Sequence, residues 1–196
     1  MNDNSYAALR GCIYTTESEL KYFRECLVDA LMATDIADKE LQAFRKKRWA
    51  EAFNENIHLT TTEDDLHIDR KATIVFEHII QASDVAHCMQ HWLIYQKYNA
   101  LLFEERYIAY LRGFAKNPPW EGWYEGEISF FDFSIIPLAE KLDRVGVFGV
   151  SYHEYLSYSQ QNRKEWAAKG DRIVEELRRK VEAKYDGVVF SDTIYS

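Results

Sequence analysis

The sequence has few of the residues that bend or cross-link a chain. Among its 196 residues are three prolines, all after residue 117, eight glycines and three cysteines. The 101 residues between Gly11 and Gly113 include neither glycine nor proline. Strands and hairpins usually need such residues at their turns, whereas helix interiors avoid them. The distribution therefore predicts an all-α fold.

The three cysteines, Cys12, Cys26 and Cys88, include no CxxC pair. An odd number without such a pair is not expected to form a disulfide framework or a structural zinc site, and it favours a reducing compartment. The first residues lack the basic-then-apolar order of a secretory signal, and no apolar run approaches the ~20 residues that span a bilayer. We therefore expect no membrane segment in this chain, and a protein that is cytoplasmic or is the cytoplasmic part of a larger membrane protein.

Acidic residues outnumber basic ones, since 32 Asp and Glu against 24 Lys and Arg give a formal net charge of −8. Apolar residues make up 47% of the chain, which is enough to bury a core and excludes a disordered segment. An acidic chain is a poor candidate for non-specific nucleic-acid binding, so we expect no nucleic-acid partner. The one basic cluster, residues 45–48, is more typical of a solvated helix face than of a binding patch.

Apolar residues at helical spacing divide the chain into predicted helices. These cover about residues 16–34, 38–54, 69–86, 89–112, 127–142 and 151–184, with loops at 54–65 and 113–126. A capping box, Thr16-x-x-Glu19, predicts the first N-terminus, and Asp69 is the expected cap of the third helix. Pro137 is expected to kink the fifth helix. In the last helix, a narrow apolar stripe indicates a surface or partner-facing helix: Ile173, Val174, Leu177 and Val181.

Asp84, His87 and His91 are spaced i, i+3 and i+7, so they share one face of a continuous helix. Asp and His are ligands of divalent metals, and two His at i, i+4 can chelate one ion. The alternative is a capped helix end with surface histidines, which the spacing alone favours. Thr34 and Asp35 end the first apolar helix, and closing that helix is their simpler role.

Four separated segments resemble, in order, the C-terminal half of the catalytic domain of class I 3′,5′-cyclic nucleotide phosphodiesterases. Residues 28–36 (VDALMATDI) are similar to the family helix that ends in Ala-Thr-Asp-Met. Residues 82–87 (ASDVAH) are similar to its Ala-Asp-(Leu/Ile/Val)-Ser-(Asn/His) segment, and residues 92–105 to its aromatic helix ending in Glu-Glu. Residues 126–138 (GEISFFDFSIIPL) are similar to its Ser-Gln-x-Gly-Phe-x-Asp-x-x-x-x-Pro-Leu motif. The segment from residue 146 to about 170 looks like protist-type members.

The resemblance implies an all-α fold, a multi-helix bundle, and divides the chain into three segments. Residues 16–145 would form the C-terminal part of the catalytic domain, residues 146–185 a helical extension and residues 186–196 a loose tail. The implied activity of the complete domain is the hydrolysis of cAMP or cGMP to the 5′-monophosphate in signal transduction. It implies two divalent metals, zinc with magnesium or manganese, that activate a bound water.

The resemblance also assigns residue roles. Asp84 matches a metal ligand, and Thr34 matches a residue that holds metal-bound water. The matches to the nucleotide pocket are His87, Tyr95, Leu102, Glu127 and Phe130. Leu102 and Phe130 would enclose the purine, and Glu127 stands in place of the family's purine-reading Gln. Tyr98 and Asn99 replace a Trp-Thr pair.

The sequence departs from the family in its histidines. The family's Tyr-His-x-x-x-His segment and His-Asp pair supply the general acid and most metal ligands. This chain has no His before His58 and no His-Asp dipeptide, so the general-acid His is absent from it. One carboxylate cannot build a two-metal site. We therefore expect a phosphodiesterase fragment that is inactive without the missing upstream half of the domain. The alternative is a non-catalytic helical binding or interaction module derived from a phosphodiesterase.

Overall fold

A computed structural model describes residues 4–36, 38–53, 61–149 and 152–188. The elements over these residues are helical, with no strand among them, which confirms the all-α prediction. The chain forms two compact units, Met1–Asp84 and Val85–Ser196. Within the described ranges, no helix has an apolar stretch long enough to cross a membrane.

The first unit begins with a 3₁₀ turn at Asn4–Tyr6 and continues with four α-helices. These are α1 (Ala7–Gly11), α2 (Glu17–Thr34), α3 (Lys39–Ala52) and α4 (Thr61–Asp84). The predicted capping box begins α2. Glu19 N donates to Thr16 Oγ1 at 3.2 Å, and Thr16 N donates to Glu19 Oε2 at 3.0 Å. Both α2 and α3 pack against α4.

The basic cluster at residues 45–48 is partly structural. Arg45 is buried and donates to the carbonyl oxygens of Asp35, at 2.9 Å, and Met32, beside the end of α2. Carbonyl groups at a helix C-terminus lack intrahelical partners and favour a nearby cation. Arg48 Nη1 lies 2.6 Å from Glu77 Oε1 on α4. The interpretation of this cluster as a solvated face is therefore wrong for Arg45 and Arg48.

Helix α4 begins earlier than predicted. Asp69, the predicted cap, lies inside α4, where its carbonyl oxygen accepts a hydrogen bond from Thr73 Oγ1 at 2.9 Å. Residues 61–65 are helical instead of a loop, and residues 54–60 lie outside the described part of the chain. Adding residues to an existing helix costs far less than nucleating one. The apolar half of α4, which includes buried Ile74, can therefore support a polar extension toward the N-terminus.

The second unit begins with a 3₁₀ turn at Ala86–Met89 and contains four further helices. These are α5 (Trp92–Leu111), α6 (Trp123–Phe130), α7 (Ile136–Val145) and α8 (Tyr152–Lys184). Helix α8 packs against α5, α6 and α7 and runs without interruption. The cap predicted at Ser151 and the tail from residue 189 onward lie outside the described residues.

The apolar stripe of α8 faces the interior of its own unit. Leu177 and Val181 are buried in one cluster with Phe103 and Tyr107 of α5. The interpretation of this stripe as a surface or partner-facing one is therefore wrong, because α5 already covers it. The spacing of apolar residues shows which side of a helix is buried, but not what buries it.

Pro137 changes the helix before it. The predicted helix over residues 127–142 is three consecutive elements, with a π-helical turn at Phe131–Ile135 between α6 and α7. Pro137 has no N–H, and its ring clashes with the carbonyl four residues earlier in a regular α-helix. A π turn inserts one extra residue and commonly produces a kink. The loop predicted to Gly126 ends sooner, because α6 begins after Gly122, whose φ of 80° is left-handed.

Candidate functional site

The three candidate metal ligands do not share a helix face. Asp84 ends α4, His87 lies in the 3₁₀ turn, and His91 precedes α5 as its N-cap. The His91 Nδ1 accepts a hydrogen bond from Leu93 N at 3.3 Å, so this histidine has a capping role. The helical spacing argument fails because the backbone changes from α to 3₁₀ and back between residues 84 and 92. In the described ranges, no three His, Cys, Asp or Glu side chains come together to hold a metal ion.

Thr34 and Asp84 both lie at helix ends in the first unit. Thr34 is exposed, and its Oγ1 donates to the Leu31 carbonyl oxygen at 2.8 Å. Asp84 is exposed at the end of α4. The Thr34 hydroxyl oxygen can still accept a hydrogen bond, and the Asp84 carboxylate can still coordinate a metal ion. The roles of these two residues beside a metal stay predictions. The described residues do not fit a two-metal centre by themselves, because Asp84 is the one carboxylate that the resemblance assigns to it.

Tyr95 and Glu127 are in direct contact in the second unit. Tyr95, on α5, is 1% exposed, and its hydroxyl donates to Glu127 Oε2, on α6, at 2.6 Å. The Tyr95 ring packs edge-on against Phe131 and Trp166, with centroids 5.2 and 5.9 Å away. These aromatic contacts fix the position of the hydroxyl. Two residues that the sequence resemblance assigns to one pocket therefore meet.

Asn99 and Trp123 extend this contact into a hydrogen-bonded chain. Asn99 lies one turn after Tyr95 on α5 and is 3% exposed. Its Nδ2 donates to the Tyr95 hydroxyl oxygen at 3.4 Å, and its Oδ1 accepts from Trp123 Nε1 at 3.4 Å. The Asn99 amide also lowers the pKa of the Glu127 carboxyl. We call Tyr95, Asn99, Trp123 and Glu127 the α5–α6 polar cluster.

Sequence reasoning treated Asn99 as a departure from the family pattern and missed its part in this cluster. The available signal was an amide one helical turn after Tyr95, between the apolar residues of α5. Such an amide is buried only if it finds hydrogen-bond partners. One of those partners is Trp123, which is distant in sequence, so the pattern of α5 alone does not reveal it.

The polar cluster shifts the acidities of its members. Burial raises the pKa of the Glu127 carboxyl, and the hydrogen bond from Tyr95, together with the Asn99 amide, partly opposes this rise. Burial, followed by the neighbouring Glu127, raises the pKa of Tyr95 far above its ordinary value. The Tyr95 hydroxyl therefore stays protonated and remains a donor. Burial also raises the pKa of the nearby Cys88 thiol, so that this group stays neutral.

The other predicted pocket residues lie near this cluster in sequence. Leu102 is 40% exposed on α5, and its spacing from Tyr95 and Asn99, at i+7 and i+3, puts it on the same side of the helix. Phe130 is half-buried at the end of α6, three residues after Glu127. A purine enclosed by Leu102 and Phe130 stays a prediction. His87 is half-buried, with its ring 5.4 Å from that of Tyr98.

A buried amide on α8 holds the 3₁₀ turn that contains His87. Asn162 is fully buried, and its Nδ2 donates to the carbonyl oxygens of Cys88 and Gln90, at 3.0 and 2.7 Å. These carbonyls lie where the chain leaves the turn and approaches α5, so no helix ladder satisfies them. Asn162 therefore fixes the path of the backbone next to His87.

Comparison of the chain with protein-family models, with curated proteins and with solved structures finds no match in any of the three.

Proposed function

We propose that this chain supplies nucleotide-binding residues to the catalytic domain of a 3′,5′-cyclic nucleotide phosphodiesterase. In the complete protein, the domain hydrolyses cAMP or cGMP to the 5′-monophosphate as part of cytoplasmic signal transduction. The observation that supports this most directly is the hydrogen bond between Tyr95 and Glu127. The sequence motifs assign these two residues to one pocket, and they lie on different helices, 32 positions apart.

The surroundings of this pair suit a planar ligand with a polar edge. Ligand sites combine mostly apolar walls with a few well-placed polar groups. Glu127 is half-buried and supplies a polar group that Tyr95 holds in place. Leu102 and Phe130, on the same two helices, are accessible apolar side chains against which a base can pack.

Nucleotide binding and hydrolysis would depend on different residues. Asp84 is the one residue that matches a metal ligand of the family, and a single carboxylate cannot hold two ions. Zinc with magnesium or manganese is therefore proposed only for the complete domain, together with histidines from outside this sequence. What the present residues contribute is the recognition and orientation of the nucleotide.

The direct test is cyclic nucleotide binding by the 196-residue chain, measured by isothermal titration calorimetry or ligand-observed NMR. We expect saturable binding of at least one of cAMP and cGMP. Phe130→Ala should weaken it by about tenfold, because stacking of a base on an aromatic ring contributes ~1–3 kcal/mol. Phe133→Ala is the matched control, since Phe133 is 82% exposed and has no assigned role.

Three results would count against this function. No binding of either nucleotide would favour the alternative, a non-catalytic helical interaction module. Equal losses in Phe130→Ala and Phe133→Ala would show that the ligand is not stacked at the proposed position. Binding that is unchanged in Phe130→Ala would remove the purine site from α6.

A further inference from the structure

Helix α5 has an apolar face on the side opposite its buried one. Its buried side chains lie four residues apart and face the interior of the second unit: Tyr95, Asn99, Phe103 and Tyr107. Because successive residues turn by about 100° around a helix, the opposite side is centred on Ile94, Leu101 and Ile108. Leu101 is 53% exposed, Ile94 is exposed and Ile108 is half-buried. Apolar side chains aligned on an exposed surface are characteristic of an interaction site.

One basic and one acidic side chain flank Leu101 on this face. Lys97 precedes Leu101 by four residues, and Glu105 follows it by four. Both are exposed, and in the part of the chain that the structure describes neither takes part in an ion pair. We call Ile94, Lys97, Leu101, Glu105 and Ile108 the outer face of α5. Its charges are opposite in sign and equally distant from Leu101, so the face is complementary to a reversed copy of itself.

This symmetry decides the direction in which two such helices can pair. With Leu101 of both copies in contact and the helices antiparallel, Lys97 of each copy lies level with Glu105 of the other. A parallel arrangement would instead bring Lys97 next to Lys97 and Glu105 next to Glu105, which the repulsion of like charges disfavours. Leu101 is at the middle of α5 (Trp92–Leu111), so the antiparallel pair overlaps along the full length of the helix.

We propose that this chain forms a two-fold symmetric dimer through antiparallel pairing of the outer faces of α5. Such pairing uses the same surface on both copies and closes on itself, so assembly ends at the dimer. A single pair of helices buries less than the ~1,200 Å² of a standard interface, so we expect a dissociation constant of micromolar order. Leu102 lies about 100° around the helix from Leu101, so pairing does not require the side that would enclose a purine.

The test is sedimentation velocity of the intact chain from about 1 to about 500 µM, a range that brackets such a dissociation constant. We expect a reversible equilibrium between monomer and dimer. Lys97→Glu and Glu105→Lys should each weaken the dimer by about tenfold or more, because each replaces two attractive contacts with two repulsive ones. Lys180→Glu makes the same charge change at an exposed position on α8 and should leave the equilibrium unchanged.

Combining the two substitutions determines the direction of pairing. An equimolar mixture of the Lys97→Glu chain and the Glu105→Lys chain should dimerise, because both contacts between unlike chains then join opposite charges. A chain that carries both substitutions should dimerise with itself only in the antiparallel arrangement, where position 97 of one copy meets position 105 of the other. Recovery of the dimer in the mixture also shows that both single variants are folded.

Three results would overturn this inference. A chain that remains monomeric at the highest concentration would show that the outer face of α5 does not bind a second copy. A dimer that neither charge reversal weakens, or that Lys180→Glu weakens equally, would show that the contact is not at this face. A doubly substituted chain that stays monomeric while the mixture dimerises would exclude the antiparallel direction. Nucleotide binding is tested separately, by Phe130→Ala.

Discussion

The Tyr95 hydroxyl donates a 2.6 Å hydrogen bond to Glu127 Oε2 and so joins α5 to α6 through a pair of polar side chains in an apolar setting. Since Tyr95 is buried, its ring packing and its hydrogen bond can be separated by substitution. Phenylalanine keeps the ring and removes the hydroxyl.

Tyr95→Phe should therefore raise the pKa of Glu127 further, because one of the hydrogen bonds that lowers it is removed. We also expect a loss of about 1–3 kcal/mol in the free energy of unfolding, the usual result of leaving a buried polar group without its partner. Carboxyl-carbon NMR titration and denaturant unfolding measure the two effects. Tyr98→Phe, at an exposed position on the same helix, is the control; a Glu127 titration identical in both variants would contradict this account.

The contribution of Glu127 to the free energy of unfolding should fall as pH rises. Burial raises its pKa in the folded chain, so the folded state holds the proton at pH values where the unfolded state has already released it. The stabilising contribution of Glu127 is therefore fully present below the ordinary carboxyl pKa. It is lost as pH rises through the raised pKa of the folded state. The titratable neighbours Tyr95 and Cys88 stay neutral in this window because burial also raises their pKa values.

The measurement is the difference in unfolding free energy between wild type and Glu127→Gln from about pH 4 to about pH 8. Other carboxyl groups, including Asp132, which is paired with Arg163 at 2.8 Å, cancel in this difference. We expect the wild type to lose stability relative to the variant as pH rises. A flat difference, or one of opposite sign, would show that Glu127 is not buried as a carboxyl of raised pKa.

Two glycines should respond in opposite ways to alanine. A Cβ at Gly170 on α8 would lie 2.6 Å from Tyr124 Cδ2 and 3.0 Å from Trp166 Cε2, so Gly170→Ala should destabilise by about 1–3 kcal/mol. A Cβ at Gly126 on α6 would meet nothing within 4 Å, so Gly126→Ala should stabilise by about 0.5–1 kcal/mol through the better helix propensity of alanine. Thermal and denaturant unfolding measure the sign of the change in the free energy of unfolding for both variants. Stabilisation by Gly170→Ala would contradict the close approach of Tyr124 to Gly170.

The 196-residue chain should not hydrolyse cyclic nucleotides by itself. It has one residue that matches a metal ligand of the family and none that matches the general-acid histidine. The assay adds zinc, magnesium or manganese to the purified chain with cAMP and cGMP and follows 5′-monophosphate formation. Metal-dependent turnover that persists through purification would show that the chain contains a complete catalytic site, and the ligand assignment at Asp84 would then need revision.

Local signals in the sequence were sufficient for much of the fold. The Thr16 capping box involves hydrogen bonds within three residues, so the sequence shows both partners together. The long stretch without glycine or proline predicted the all-α class for the same reason, since helix propensity is a local property. Asp69 shows the limit of this reasoning. A residue suited to capping becomes a cap only where a helix ends, and packing of the apolar part of α4 moved that end upstream.

The candidate site depends on contacts that the sequence does not display. Tyr95 and Glu127 were both named from motifs, but nothing in either motif gives the hydrogen bond between them. Asn99 was missed as a member because its role depends on Trp123, which lies in α6. A shared helix face for His87 and His91 requires one uninterrupted helix and is wrong, whereas the favoured alternative, a capped helix end with surface histidines, agrees with exposed His91 at the N-cap of α5.

The hydrogen bonds from Asn162 to the Cys88 and Gln90 carbonyl oxygens can form only late in folding. Asn162 lies 74 residues after Cys88 and 72 after Gln90, so the two carbonyls gain their partner only once α8 has docked. Closing so long a loop costs more entropy than forming the local turns of α5, and distant contacts of this kind slow folding. During synthesis, the backbone next to His87 would leave the ribosome early. It would reach its final geometry only after residue 162 of α8 had been synthesised and α8 had packed against it. A chain arrested before residue 162 would hold the helical segments of α5 and α6 but not a settled turn in front of them.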